Sequence, residues 1–296
     1  MLDLHILPKL RDSLSYLYIE HAVIQRYRQA VEAVDANGKT AIPVASLSVL
    51  LLGPGTSITH DAIKLLARNG CSVLWVGEGA TRFYAQGTGE TRKASRLRQQ
   101  AALVSDMDSR RQVAIRMYEF RFGEPLDPDL TLEQIRGHEG ARVRNTYQFM
   151  SRRFGVKWRG RRYDRNEWDA SDPLNRALSA ANALLNGICH AAIVSGGYAP
   201  GLGFVHSGKQ LSFVYDIADL YKTELTIPIA FEVVAMSTTD IEPRIRRLCR
   251  ERFKEAKLLQ RILPDIDNLL NIHEEPEPDY DEDGALPGPL IGEELW

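Results

Sequence analysis

Two short stretches, Gly203-Phe204-Val205-His206-Ser207-Gly208-Lys209 and Phe213-Val214-Tyr215-Asp216-Ile217-Ala218-Asp219, place an imidazole and two carboxylates close together along the chain. Read as a helix, the second stretch sets Asp216 and Asp219 about 60° apart and roughly 4.5 Å along the axis, on one face that can hold one cation. Phe213, Val214, Ile217 and Leu220 make this helix apolar, so charges on it need partners. A divalent ion is one such partner; a solvated acidic face and a hydrogen-bonded histidine are the other reading of the same residues.

A third acid, Glu139, lies between Gly137 and Gly140. Glycine costs a helix about 1 kcal/mol relative to alanine, so a close backbone approach or open access is expected there. Glu139, His206 and Asp219, with Asp216 beside them, make a mixed oxygen and imidazole set. Carboxylates with one neutral imidazole suit Mg2+ or Mn2+ better than zinc. Such an ion polarises a phosphoryl oxygen and orients a hydroxyl nucleophile, without a covalent enzyme intermediate.

Basic and aromatic residues alternate through Lys157-Trp158-Arg159-Gly160-Arg161-Arg162-Tyr163, with Trp168 following. Arginines neutralise phosphates and aromatic planes stack on unpaired bases, which fits a nucleic-acid surface; structural aromatics in a solvated loop are the alternative. Arg244, Arg246, Arg247, Arg250 and Arg252 cluster on a helix and either meet phosphates or form an exposed face balanced by Glu242, Glu251 and Glu255. Arg92, Lys93, Arg96 and Arg98 form another basic patch.

The elements that must position these groups divide the chain of 296 residues, 44% of them hydrophobic. Such a chain can bury a full core and form two domains. The first ~85 residues read as strands with one short helix. Thr40 to Val44 pairs back on Val31 to Val34 across a turn in which Asn37-Gly38 supplies positive φ angles. Thr56 to Thr59 caps a helix through Ala67 that Asn69-Gly70 ends, and Cys71 to Val76 and Thr81 to Ala85 close a small sheet. Helix then prevails: Arg92 to Phe122, Leu132 to Phe154 ended by Gly155, a run to Val194 capped by Asp172 with Pro173 first, and helices from Phe213, from Ile229 and from Glu242 to about Ile272. The expected fold is α+β multidomain: a small N-terminal β-rich domain with one helix (1–88), a larger all-α catalytic domain (89–272), and an acidic proline-rich tail (273–296).

The net charge of −2 conceals an asymmetry, because the nine acids from Glu274 onward leave the rest of the chain at +7. That basic body favours an anionic partner, and the tail is a poor helix or strand. The apolar runs, Ala177 to Val194 included, are broken by polar residues and fall short of a continuous span, and no secretory h-region opens the sequence; the expectation is a soluble cytoplasmic protein. Cys71, Cys189 and Cys249 are too dispersed for zinc or a disulfide framework and are expected to be buried small hydrophobes.

The series G-x-E-G-x-R-V-R at Gly137 to Arg144, G-R-R-Y-D at Gly160 to Asp164, G-Y-A-P-x-x-G-F-V-H-x-G-K at Gly197 to Lys209 and L-S-F-V-Y-D-I-A-D at Leu211 to Asp219 resembles the CRISPR-associated integrase. This is protein one of the CRISPR adaptation machinery, in the form found with Cascade-type (subtype I-E) systems. The resemblance runs over about residues 10 to 270 and includes G-P-G-T at Gly53 and W-V-G-E at Trp75. It implies Glu139, His206 and Asp219 as metal ligands, Asp216 as a further active-site acid, and Mg2+ or Mn2+ as cofactor. The reaction implied is insertion of short foreign DNA fragments into the CRISPR repeat by attack of a fragment 3′-hydroxyl on a repeat phosphodiester. Homodimers, two of them bridged by a dimer of CRISPR-associated protein two, are the assembly implied, with the β domain serving dimerisation and DNA-end binding. Arg82, Arg161, Tyr163, Trp168 and Lys209 match positions that resemble DNA contacts of the family, and the Arg244 and Arg246 cluster joins them. His21 stands where relatives place a stacking Tyr, and Ser57 where a basic residue is expected. Nuclease action on branched DNA and a non-catalytic DNA-end-binding scaffold are the alternatives.

Overall fold

The computed structural model of the chain describes residues 16–44, 47, 49–78, 83–87, 94–127, 130–160 and 172–272. Its N-terminal part holds β1 (Tyr16–Ile19), β2 (Val23–Tyr27), β3 (Ala30–Asp35), β4 (Gly38–Ile42), β5 (Val49–Leu52), β6 (Ser57–Ile58), α1 (His60–Arg68), β7 (Ser72–Val76) and β8 (Phe83–Gly87). These make two four-stranded sheets, ordered β1-β5-β7-β8 and β4-β3-β2-β6, where sequence reasoning expects one small sheet. The pairings it misses join strands remote in sequence: β1 with β5, β5 with β7, and β2 with β6, all parallel.

Val49–Leu52 is apolar at every position because both faces of its sheet are covered. Leu50 and Leu52 point into a core shared with Ile24, Val31 and Leu66. Val49 and Leu51 point the other way, joining Leu74 and Val76 against Ala191 and Val194 of the central helix described below. The alternation of a strand thus ties the β-rich part to the helical part.

The hairpin between β3 and β4 forms as expected, with Asp35 opposite Gly38. Its turn differs in detail. The Asp35 carboxylate accepts N–H bonds from Asn37 at 2.7 Å and Gly38 at 3.1 Å, and only Gly38 of the pair takes a positive φ, +132°. Thr59 caps α1 by accepting the N–H of Ala62, and Asn69 ends it.

The helical part comprises α2 (Ser95–Ser105), α3 (Met107–Phe122), α4 (Leu132–Phe154), α5 (Pro173–Ser195), α6 (Ser212–Tyr221), α7 (Ile227–Met236), α8 (Ile241–Glu255) and α9 (Leu258–Leu270), with a π-helical turn at Lys222–Thr226 joining α6 to α7. Two stretches expected to be continuous are broken. Asp106 leaves helical geometry (φ −88°, ψ 123°) and caps α3 by accepting the Ser109 N–H, and Lys257 takes φ +48° between α8 and α9. The π turn has no counterpart in the sequence reading.

Helix α5 is the centre of this part, with Leu178, Ala181, Leu185, Cys189 and Ile193 packed against residues of α6, α7, α8 and α9. By length and composition it could cross a membrane, contrary to the expectation from its sequence, yet 67% of its apolar window is buried inside the fold. Its apolarity is that of a core helix. Cys71, Cys189 and Cys249 are free and buried, as expected. The tail lies outside the described residues.

Candidate active site

The loop between α5 and α6 is folded back onto the first turns of α6 by one side chain. Asp216, with its carboxylate fully buried, accepts the backbone N–H groups of Phe204 (2.6 Å), Val205 (3.1 Å) and His206 (2.9 Å), and lies 2.7 Å from Nδ1 of the His206 ring. Gly203 makes the fold-back possible: a Cβ there would lie 2.5 Å from the His206 carbonyl oxygen and 2.8 Å from Ser212 Cβ. The ring of His206, 45% exposed, is held by Nδ1 and leaves Nε2 for another partner. Its pKa is raised above the ordinary imidazole value, chiefly by the hydrogen bond to Asp216, with the Asp219 charge adding to it.

Asp216 and Asp219 therefore do not share one cation-binding face. Asp216 is turned inward, consumed by the loop, whereas Asp219, one turn on, is ion-paired with Lys222. The expectation from helical spacing fails because four donors of the folded-back loop claim the first carboxylate.

Residues that sequence reasoning passes over hold the same loop. The buried amide of Gln100 donates to the carbonyls of Ala199 (3.1 Å) and Leu202 (3.0 Å) and accepts from the Ala199 N–H (2.8 Å). Arg110 donates to the Phe204 carbonyl at 3.0 Å. Tyr198 donates to Asp267, which also receives Arg96 at 2.6 Å. Arg96 is thus committed to the fold. A polar residue at a core position, such as Gln100, is the available sequence signal.

Glu139 of α4 is ion-paired with Arg121 of α3, and its side chain is 20% exposed. It lies one turn beyond Ile135, which joins Tyr118 and Phe122 in a small core against which Val205, next to His206, packs. Helix α3 is therefore a wall common to both sides of the candidate site. Among the described residues, however, no three His, Cys, Asp or Glu side chains come together as a metal-holding group. The structure joins His206 to Asp216, brings Asp219 within electrostatic reach, and sets Glu139 across α3 on its own cation. In donor type the set of two half-buried carboxylates and an imidazole with Nε2 outward fits Mg2+ or Mn2+, which would compete with Arg121 and Lys222 for the carboxylates. Of the two expectations at the flanking glycines, open access is the one met: nothing in the described structure lies within 4 Å of a Cβ at Gly137, and Gly140 would meet only Arg144, at 3.6 Å.

The DNA-contact expectations separate in the same way. His21 sits in the β1–β2 turn at φ +54°, its N–H on the Pro54 carbonyl and its ring over Gly55. Lys209 is exposed beside the start of α6, with its N–H on Ser212 Oγ. Arg244 is bound to the Ser237 carbonyl at 2.8 Å, and Arg246 lies 3.3 Å from Glu78, so both tie the fold together; Glu242, expected to balance them, is taken by Arg176. Trp158 stacks on Tyr147 at 4.1 Å and 5° and packs on the core, which makes it a structural aromatic rather than a platform for bases. Arg82, Arg161, Tyr163 and Trp168 lie outside the described residues.

Comparison with known proteins adds three findings. The family described as CRISPR associated protein Cas1 matches residues 16–123 and 121–243. CRISPR-associated endonuclease Cas1 2 of Thermus thermophilus is 54% identical over 291 residues, covering 97% of this chain and 89% of the relative, and CRISPR-associated endonuclease Cas1 of Escherichia coli is 40% identical over 293 residues, covering 98% and 96%. A crystal structure of a TtCas1–DNA complex superposes with a TM-score of 0.80 at 55% identity, covering 89% of this chain and 99% of the other.

Proposed function

The chain belongs to the CRISPR-associated Cas1 family, and from that premise we propose that it is a metal-dependent DNA integrase of CRISPR adaptation, of the Cascade-type subtype I-E. Its relatives named above are endonucleases, and a similar chain has been crystallised with DNA; both support DNA as the substrate here. The motif series from Gly137 to Asp219 supports the finer assignment.

In this reading Glu139, His206 and Asp219 hold Mg2+ or Mn2+, which supplies polarisation of a phosphoryl oxygen and orientation of the attacking hydroxyl. Asp216 does not bind the ion. It keeps the proton of His206 on Nδ1, fixes the ring plane, and so leaves Nε2 unprotonated and outward. Arg121 and Lys222 neutralise the acids and lower the cost of bringing a phosphodiester near them. The fragment 3′-hydroxyl attacks a repeat phosphodiester; one P–O bond forms and one breaks, so strands are joined and not merely cut. The β-rich part (1–88) serves dimerisation and DNA ends, the helical part (89–272) carries the chemistry, and two homodimers flank a dimer of CRISPR-associated protein two.

The observation that carries this reading is the four-fold grip of Asp216 on the His206 loop, since a buried carboxylate spent on aiming one half-exposed imidazole implies a task for that imidazole. One observation favours a second reading, a DNA-end-binding scaffold: each remaining acid already has a cation partner, as purely structural acids would. Calorimetric titration with Mn2+ separates the two. The integrase reading expects saturable binding that Glu139→Gln, His206→Gln and Asp219→Asn each weaken; binding unaltered by all three, or absent from the wild type, rejects it.

A further inference from the structure

The π turn at Lys222–Thr226 has a local cause and a remote support. Pro228, the second residue of α7, has no N–H to give the carbonyl of Glu224 four residues back, so a regular helix cannot run from α6 into α7. The chain widens instead: the Ile227 N–H donates to the carbonyl of Lys222, five residues back. The residue that opens the wide turn is therefore the one whose side chain is paired with Asp219.

Side chains of two other helices fix this turn. The buried Tyr221 donates its hydroxyl to Asp265 of α9 at 2.6 Å, and the buried Thr226 donates to Asn182 of α5 at 2.7 Å. Both residues belong to the core, and their task is the fold. The third support differs. Glu224, at the middle of the turn, accepts from both terminal nitrogens of Arg261, at 2.8 and 3.1 Å, and Arg261, one turn before Asp265 on α9, also lies over the Tyr221 ring at 5.5 Å. The side chains of Glu224 and Arg261 are 47% and 36% exposed, and an ion pair so open to water adds little to stability. A forked bond to a carboxylate fixes direction as well as distance, so what this pair supplies is the orientation of the chain two residues from Lys222.

We propose that Glu224 and Arg261 are positioning residues that act through Lys222: their pairing holds the π turn so that the Lys222 ammonium rests on Asp219 as a stand-in for the divalent ion. Before the ion arrives, the half-buried acid keeps a partner and its charge is not left uncompensated. When the ion takes Asp219, the displaced ammonium remains at the edge of the site as a cation for an incoming phosphodiester. The proposal rests on the reading of Asp219 as an ion-binding acid and adds what sets its affinity.

The test is calorimetric titration of the metal-free, full-length protein with Mn2+. Glu224→Ala removes a negative charge, which by its field alone would weaken the binding of a cation; the clamp predicts the reverse, a tightening of about threefold or more, because Lys222 no longer competes for Asp219. Lys222→Met should tighten binding at least as far, and adding Glu224→Ala to it should tighten binding no further. Exchanging the pair, Glu224→Arg with Arg261→Glu, should return the wild-type affinity. Weakened or unaltered binding in Glu224→Ala, or the same tightening with and without Lys222, overturns the proposal. Amide hydrogen exchange of the metal-free protein reads the clamp without the ion: residues 222–227 should exchange faster in Glu224→Ala and at the wild-type rate in the exchanged pair, and unchanged exchange in Glu224→Ala also overturns it. A wild type that binds no Mn2+ yet shows this exchange pattern would keep the clamp and fail the ion-binding reading alone.

Discussion

The Asp216 carboxylate and the His206 imidazole form one unit: Oδ1 lies 2.7 Å from Nδ1 of the ring and 2.9 Å from the backbone nitrogen of the same residue. Asp216→Asn would turn an amide NH2 toward donors that now find an acceptor. Hydrogen bonds to a buried charge are worth more than neutral ones, so the variant should lose about 2 to 4 kcal/mol of stability in urea melts, with strand joining reduced at temperatures where it remains folded. Wild-type stability and joining in this variant would remove Asp216 from the site's construction.

Gly203→Ala should damage the same loop by another route. Its new methyl would meet backbone oxygen at 2.5 Å and Ser212 Cβ at 2.8 Å, neither of which is a yielding side-chain end. Overpacking of this kind costs typically about 1 to 3 kcal/mol, and the expected readout is a lowered Tm together with impaired joining. A variant with unchanged Tm would show that the loop relaxes more freely than its hydrogen bonds indicate.

His190 predicts an acid-sensitive core. It faces Phe83 across the junction of α5 with the sheet, ring centroids 3.8 Å apart, and burial lowers its pKa from 6.5 to about 4. The unfolded chain binds this proton more readily, so the contribution is complete above pH 6.5 and is lost as the pH falls toward 4, amounting to about 3 kcal/mol across that window. Urea melts at stepped pH should show this loss in the wild type and a flatter profile in His190→Gln. Equal slopes in both would assign the acid sensitivity to other groups.

The features legible in the sequence are those encoded locally. Leu132–Phe154 ending at Gly155, the Asp172-Pro173 start of α5 and the Thr59 cap of α1 each rest on residues within a turn of the boundary, and the structure has them there. The Asp106 break is harder, because long helix-forming residues continue on both sides and a single Asp is compatible with either state. Parallel strand pairing between β1, β5 and β7 joins segments separated by a hairpin or a helix, which no local pattern records. At the site, residue types identify His206 and the acids, but spacing treats Asp216 and Asp219 as equals. Only the loop's return onto α6 separates a fully buried acid that grips backbone from a partly exposed one paired with Lys222. The Arg121 partner of Glu139 comes from a different helix and is equally invisible in one dimension.

The most direct test of the central claim is a joining assay with a labelled DNA fragment bearing a free 3′-hydroxyl and a repeat-containing target, with CRISPR-associated protein two present and Mg2+ or Mn2+ added or chelated. A longer, covalently joined strand is expected only with the ion, and is lost in His206→Ala, Asp219→Ala and Glu139→Ala proteins that retain the wild-type circular dichroism spectrum. Joined product formed in the presence of chelator, or at wild-type levels by the His206→Ala and Asp219→Ala proteins, would contradict it.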